Sequence, residues 1–108
     1  MDMEKKKNSK ITDNLLKAVL SLDSLPEARS FFRDLCTIDE LKEMGERWEI
    51  AKLLDRKLTY REIASELEVS TTTVSRVATW LNNGAGGYRI VLDKTADHHD
   101  SSKVFRKS

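Results

Sequence analysis

Apolar positions in this chain recur at helical spacing in short stripes, and polar residues able to cap a helix separate one stripe from the next. From Thr12 to Leu22, Leu15, Leu16, Val19, Leu20 and Leu22 fall on one side of an amphipathic helix. Ser24-Leu25-Pro26-Glu27 has the spacing of a capping box, with Pro26 early in a new helix, where a missing N–H is tolerated. That helix carries Ala28, Phe31, Phe32 and Leu35. Thr37-Ile38-Asp39-Glu40 repeats the box and opens a long helix to about Arg56. Along it Ile38, Leu41, Met44, Trp48, Ala51 and Leu54 or Leu58 recur, which predicts one face buried throughout. Gly45 costs about 1 kcal/mol relative to Ala in mid-helix, so either another backbone approaches closely there or a stable helix tolerates it.

Thr59 to Leu81 reads as a helix-turn-helix, and the rest of the chain is organised around it. Thr59 and Glu62 form a third capping box, and Ser70 caps the second helix by its hydroxyl alone. Ile63 and Leu67 lie one turn apart on the first helix; Val74, Val77 and Leu81 form a stripe on the second. Val69 plugs the turn, and Ala64 is small where the helices cross. Glu68 stands where such turns often carry Gly, which predicts a strained or reshaped turn. Asn82-Asn83-Gly84-Ala85-Gly86-Gly87 then stops the helix with residues able to turn left-handed, and Tyr88 to Leu92 packs back as a short helix or an extended piece.

The expected fold class is therefore all-α. Residues 1–10, with Lys5, Lys6, Lys7 and Lys10, are expected to be a flexible basic arm, 11–94 the helical domain with its recognition unit at 59–81, and 95–108 a disordered polar tail. At 108 residues the chain is near the lower end of what buries a sufficient core alone. Five short helices rich in Leu and Phe hide their apolar sides most economically in a homodimer. Two recognition helices about 34 Å apart could then enter successive major grooves of double-stranded DNA.

At about 100° per residue, Thr72, Ser75, Arg76 and Thr79 face away from the buried stripe, with Thr71 at the exposed start. Hydroxyls and an arginine there suit base edges and phosphates, and Tyr60, Arg61 and Ser70 suit the DNA backbone. The net charge of +1 means that any basic surface is local. The alternative reading is a helix-turn-helix module that binds a protein and no DNA; Glu62, Glu66 and Glu68 are expected to neutralise Lys57, Arg61 and Arg76 nearby, which favours it. No aromatic stacking platform for RNA is visible.

Other chemistry is thin. Cys36 is the only cysteine, which excludes an internal disulfide and a cysteine-based zinc site. His98-His99 lies in the tail without enough fixed ligands for a metal. The glycine run lacks the lysine and hydroxyl ending of a phosphate-binding loop. No nucleophile with a neighbouring base is evident, so no catalysis is expected. With neither a membrane span nor a signal peptide, the expected compartment is the cytoplasm.

Thr37-Ile38-Asp39-Glu40-Leu41, Gly45-Glu46-Arg47, Leu53-Leu54, Arg61-Glu62-Ile63, Glu66-Leu67 and Thr73-Val74-Ser75-Arg76, in this order, resemble the tryptophan repressors, most closely the tryptophan-repressor-like proteins of the YerC/YecD type. The resemblance spans roughly Leu15 to Asp93 and implies an intertwined homodimer that binds operator DNA as a transcriptional repressor. It also implies a corepressor pocket in which Arg47 and Arg76 match the two arginines around the indole, and Thr37 and Thr73 match two further positions. Thr73, Arg76 and Trp80 share one flank of the recognition helix by helical angle. The family has Gly where this chain has Val77 and Ser where it has Trp80, both adding bulk beside the pocket, and the connection from Arg47 to Thr59 is one residue shorter. No cofactor is expected; L-tryptophan or another small effector is left open, with Trp80 either partly filling the ligand space or packing in a core or dimer contact.

Overall fold

The structure, a computed structural model, describes residues 2–96. Among them are six α-helices: α1 (Asp2–Leu20), α2 (Leu25–Leu35), α3 (Ile38–Asp55), α4 (Tyr60–Leu67), α5 (Thr71–Asn83) and α6 (Gly87–Thr95). All but the first two residues of the expected polar tail, including His98-His99, lie outside the described residues. The chain divides into two compact units, one up to Leu41 and one from Lys42 onward.

In the first unit α1 begins at Asp2, so Lys5, Lys6, Lys7 and Lys10 are helical where an irregular arm was expected. The stretch holds good helix formers and neither Gly nor Pro, and the Thr12 hydroxyl donates to the Asn8 carbonyl at 3.0 Å. Helix α2 opens as predicted on Ser24, whose Oγ accepts from the Glu27 N–H at 3.2 Å. The Glu27 carboxylate reaches past the cap to the Asp23 N–H, at 2.9 Å, so this box closes one residue early. At Thr37 the box is complete: its N–H donates to Glu40 Oε1 at 2.8 Å, and its Oγ1 accepts from the Glu40 N–H at 3.1 Å. Phe31 and Phe32 pack edge to face with ring centres 5.7 Å apart. No residue of α2 is buried, and Leu15, Leu16, Leu20, Leu25, Leu35 and Ile38 are exposed.

The second unit holds the core. Ile50 and Ala51 from α3, Ile63 from α4 and Val74 and Val77 from α5 are fully buried together, flanked by Trp48, Leu53, Leu54, Leu58, Ala64, Leu67, Val69 and Tyr88. The long helix departs from its predicted pattern. Ile38 is exposed and Leu41 and Met44 only half-buried, while Ile50, outside the predicted stripe, has no exposed surface. The side chains that α4 and α5 contribute gather around Ile50 and Ala51, so burial is concentrated in the second half of α3. A Cβ on Gly45 would meet nothing within 4 Å, which rules out a close backbone approach by the described residues.

The turn from α3 to α4 has the hydrogen bonds of a Schellman stop. The Leu58 N–H donates to the Leu53 carbonyl and the Lys57 N–H to the Leu54 carbonyl, at 3.2 and 2.9 Å. Lys57 takes the left-handed position, φ +72°, where Gly is usual. Helix α6 settles the open reading of Tyr88 to Leu92 in favour of a helix, with Leu92 buried. Of the preceding glycines, Gly86 is left-handed at φ +89°. Gly84 stops α5 without turning left-handed, and a Cβ there would collide with the Trp80 carbonyl oxygen.

Candidate nucleic-acid interface

Local chemistry fixes α4 and α5 as one unit. Thr59 Oγ1 accepts from the Glu62 N–H at 3.1 Å while Glu62 Oε1 accepts from the Thr59 N–H at 2.8 Å, the reciprocal box the sequence predicts. Ser70 Oγ accepts from the Thr73 N–H at 3.0 Å and lies 2.9 Å from the Thr73 hydroxyl. Between the caps, Glu68 bends the chain at φ +56° and ψ +47°, the strained left-handed turn anticipated for a non-glycine residue. The Val69 N–H donates to the Ala64 carbonyl at 3.1 Å, and Val69 closes the turn against the core.

The residues named as DNA contacts all reach the surface. Tyr60 and Arg61 are exposed at the start of α4, Ser70 and Thr71 at the start of α5, and Thr72, Ser75, Arg76 and Thr79 along its outer face. Thr79 Oγ1 donates to the Ser75 carbonyl at 3.1 Å, so its remaining capacity is as an acceptor. The predicted inner stripe holds at Val74 and Val77; Ala78 joins it, and Leu81 is half-buried.

The charge balance differs from the one expected. Among the described residues the ion pairs are Lys42–Glu46, Lys52–Glu49, Arg89–Asp55 and Arg89–Asp93; Glu62, Glu66 and Glu68 pair with none of Lys57, Arg61 or Arg76. Sequence proximity overstated that pairing. On α4, Glu62 follows Arg61 directly and Glu66 is five residues on, about 100° and 140° away around the helix, so neither carboxylate faces that guanidinium.

The inner flank of α5 meets α3 in a cavity of about 700 Å³. Arg47, Thr73, Arg76 and Trp80, four of the five residues assigned to a pocket, line it together with Val77. The fifth, Thr37, is the N-cap of α3 in the first unit. Glu43, Glu46 and Tyr88 also line the cavity and were missed. Glu43 stands one turn before Arg47, a spacing that could have found it; Tyr88 arrives from α6 and leaves no local signal. Trp80 is 64% exposed, so it forms a rim to the cavity and is not packed in the protomer's core. Tyr88 stacks almost parallel to Trp48, with ring centres 6.4 Å apart and an interplanar angle of 11°. Arg76 both lines the cavity and is exposed on α5, so its guanidinium can serve either side.

A family model described as Trp repressor protein matches residues 10–96, which is nearly the whole described chain. The chain belongs to the Trp repressor protein family. Within that family it is similar to the uncharacterised protein YerC of Bacillus subtilis, 39% identical over 97 residues, 90% of this chain and 93% of that one. Among solved structures it resembles a TrpR-like protein from Eubacterium eligens, with a TM-score of 0.78 and 41% identity over 81% of this chain and 90% of that one. A candidate Trp repressor from Staphylococcus aureus gives a TM-score of 0.77 and 35% identity, covering 89% and 95% respectively. The Trp repressor family resemblance read from the sequence and the all-helical architecture both hold. No helix among the described residues is long and apolar enough to cross a membrane.

Proposed function

We propose that this chain is a sequence-specific DNA-binding transcriptional regulator, a repressor, that reads operator DNA with α5. The observation that carries the reading is the outer face of α5. Thr71, Thr72, Ser75, Arg76 and Thr79 are exposed together on a helix fixed from behind by Val74 and Val77, and no ion pair among the described residues occupies Arg61 or Arg76. A rigid helix with short hydroxyls and an arginine outward matches base edges and phosphates in a major groove. The protein-interaction alternative drew on neutralisation of those cations, and no ion pair among the described residues joins them to Glu62, Glu66 or Glu68.

Function as a homodimer is supported by apolar surface that one protomer leaves open, including Leu16, Leu20, Leu25, Ile38 and Ile90. The cavity between Arg47 and Arg76 is of a size that takes small ligands, and an effector such as L-tryptophan is its natural candidate. Exposed Trp80 flanks that space without closing it.

Selection of bound sequences from random duplex DNA, with and without L-tryptophan, tests both parts. An enriched palindrome supports the regulator, and its appearance only with tryptophan supports the corepressor. No enrichment in either arm defeats the DNA reading. On the selected duplex, Thr72→Ala or Ser75→Ala should relax preference at one base position by about 1 to 3 kcal/mol, while Arg61→Ala weakens all sequences alike.

A further inference from the structure

The outward stripe of α5 continues past Thr79. At about 100° per residue Asn82 stands roughly 20° from Ser75 around the helix, and seven residues place it about 10 Å further along the axis. Asn82 lines a second cavity, of about 440 Å³, together with Asp55, Lys57, Tyr60 and Arg89. Its charges are unevenly committed. Arg89 donates to Asp55 Oδ1 at 2.6 Å and to Asp93 Oδ1 at 3.3 Å, so its guanidinium is held by two carboxylates. Lys57 has no ion pair among the described residues. An ammonium, a phenol and a primary amide are then the groups around this hollow able to donate to something outside the protein.

The backbone at Lys57 adds a second reason. Its φ of +72° belongs to the stop of α3, a position that suits Gly and strains any residue with a Cβ. Fold stability alone favours Gly there. A lysine there forgoes the stability that Gly would give, and its side chain lines the hollow beside Tyr60 and Asn82.

We infer that Lys57, Tyr60 and Asn82 clamp one backbone phosphate of duplex DNA at the end of the surface that α5 presents. The inference rests on the DNA-binding reading above and adds Lys57 and Asn82 to the residues it named. A helix whose middle meets base edges carries its end toward the groove wall, where the phosphates lie.

Fluorescence anisotropy on the full chain, with a random-sequence duplex and the selected one across a salt series, tests the clamp. Lys57→Gly removes the ammonium while suiting the backbone; Lys57→Arg keeps the charge. With counterion release as the whole contribution, Lys57→Gly should make the slope of log K against log salt shallower by about 0.9 per bound subunit. The same relation gives about eightfold weaker binding at 0.1 M salt for each bound subunit, equal on both duplexes. Its melting temperature should be no lower than that of the wild type, and Lys57→Arg should keep the slope. Asn82→Ala should weaken both duplexes alike with the slope unchanged. An unchanged slope in Lys57→Gly, a loss confined to the selected duplex, or a marked fall in melting temperature overturns the clamp while leaving the regulator standing. A wild-type chain that binds neither duplex overturns both.

Discussion

Two residues depart from the family beside the Arg47–Arg76 cavity, and the structure predicts that they are energetically unlike. Val77 is 1% exposed in the core, whereas Trp80 is 64% exposed. Val77→Gly removes a fully buried side chain, about 1.5 to 3 kcal/mol of burial, and places Gly in a helix interior at about 1 kcal/mol more. The expected loss is about 2.5 to 4 kcal/mol, a large part of the 5 to 15 kcal/mol typical of a domain. Trp80→Ser removes a ring of which only about a third is covered, on the order of 70 Å² and so about 1.5 kcal/mol. Urea unfolding followed by far-ultraviolet circular dichroism measures both without relying on tryptophan emission. Val77→Gly should shift the midpoint about twice as far as Trp80→Ser. The reverse order would mean that Trp80 is covered by something other than this protomer and that Val77 is not the anchor of α5. Because Trp80→Ser clears only the rim, calorimetry on that variant also tests whether bulk at this position limits L-tryptophan binding.

Two further substitutions probe separate parts of the chain. Glu68→Gly relieves a left-handed non-glycine residue between α4 and α5 and should raise stability by about 0.5 to 1 kcal/mol in the same unfolding assay, a fall showing instead that the Glu68 side chain holds the turn. Replacing Lys5, Lys6 and Lys10 together by Ala keeps α1 helical; if its basic face meets DNA phosphates, binding should weaken and its salt dependence flatten, and an unchanged salt slope would exclude that face.

The helix-turn-helix was legible because its signals are local. Capping pairs three residues apart, a one-turn apolar spacing and a small residue at the crossing need no knowledge of the rest of the chain, and Thr59–Glu62, Ser70, Ile63 and Val74 all behave as those signals imply. What escaped the sequence depends on partners far away in it. Ile50 is buried by side chains from α4 and α5, so its apolar character alone could not mark it as the centre of the core. Ile38, at an equally good helical spacing, is left open. The cavity was half legible: Thr73, Arg76 and Trp80 share a flank by angle alone, and Arg47 came through the family pattern. Tyr88 could not be reached either way, because α6 brings it back across a glycine turn. The helical start of α1 was misread because a run of lysines reads equally well as a solvated coil and as a solvated helix.

The two tryptophans give the molecule a pair of optical probes. Trp48 is half-buried against Tyr88 with the rings nearly parallel, while Trp80 stands at the cavity rim in contact with water. Emission from Trp80 should therefore lie to the red and yield readily to a soluble quencher, and emission from Trp48 should be the more protected fraction. An occupant of the cavity, or a second protomer over its rim, would then change the accessible fraction before it changed the other, so the unlabelled protein carries its own reporter of events at this cavity.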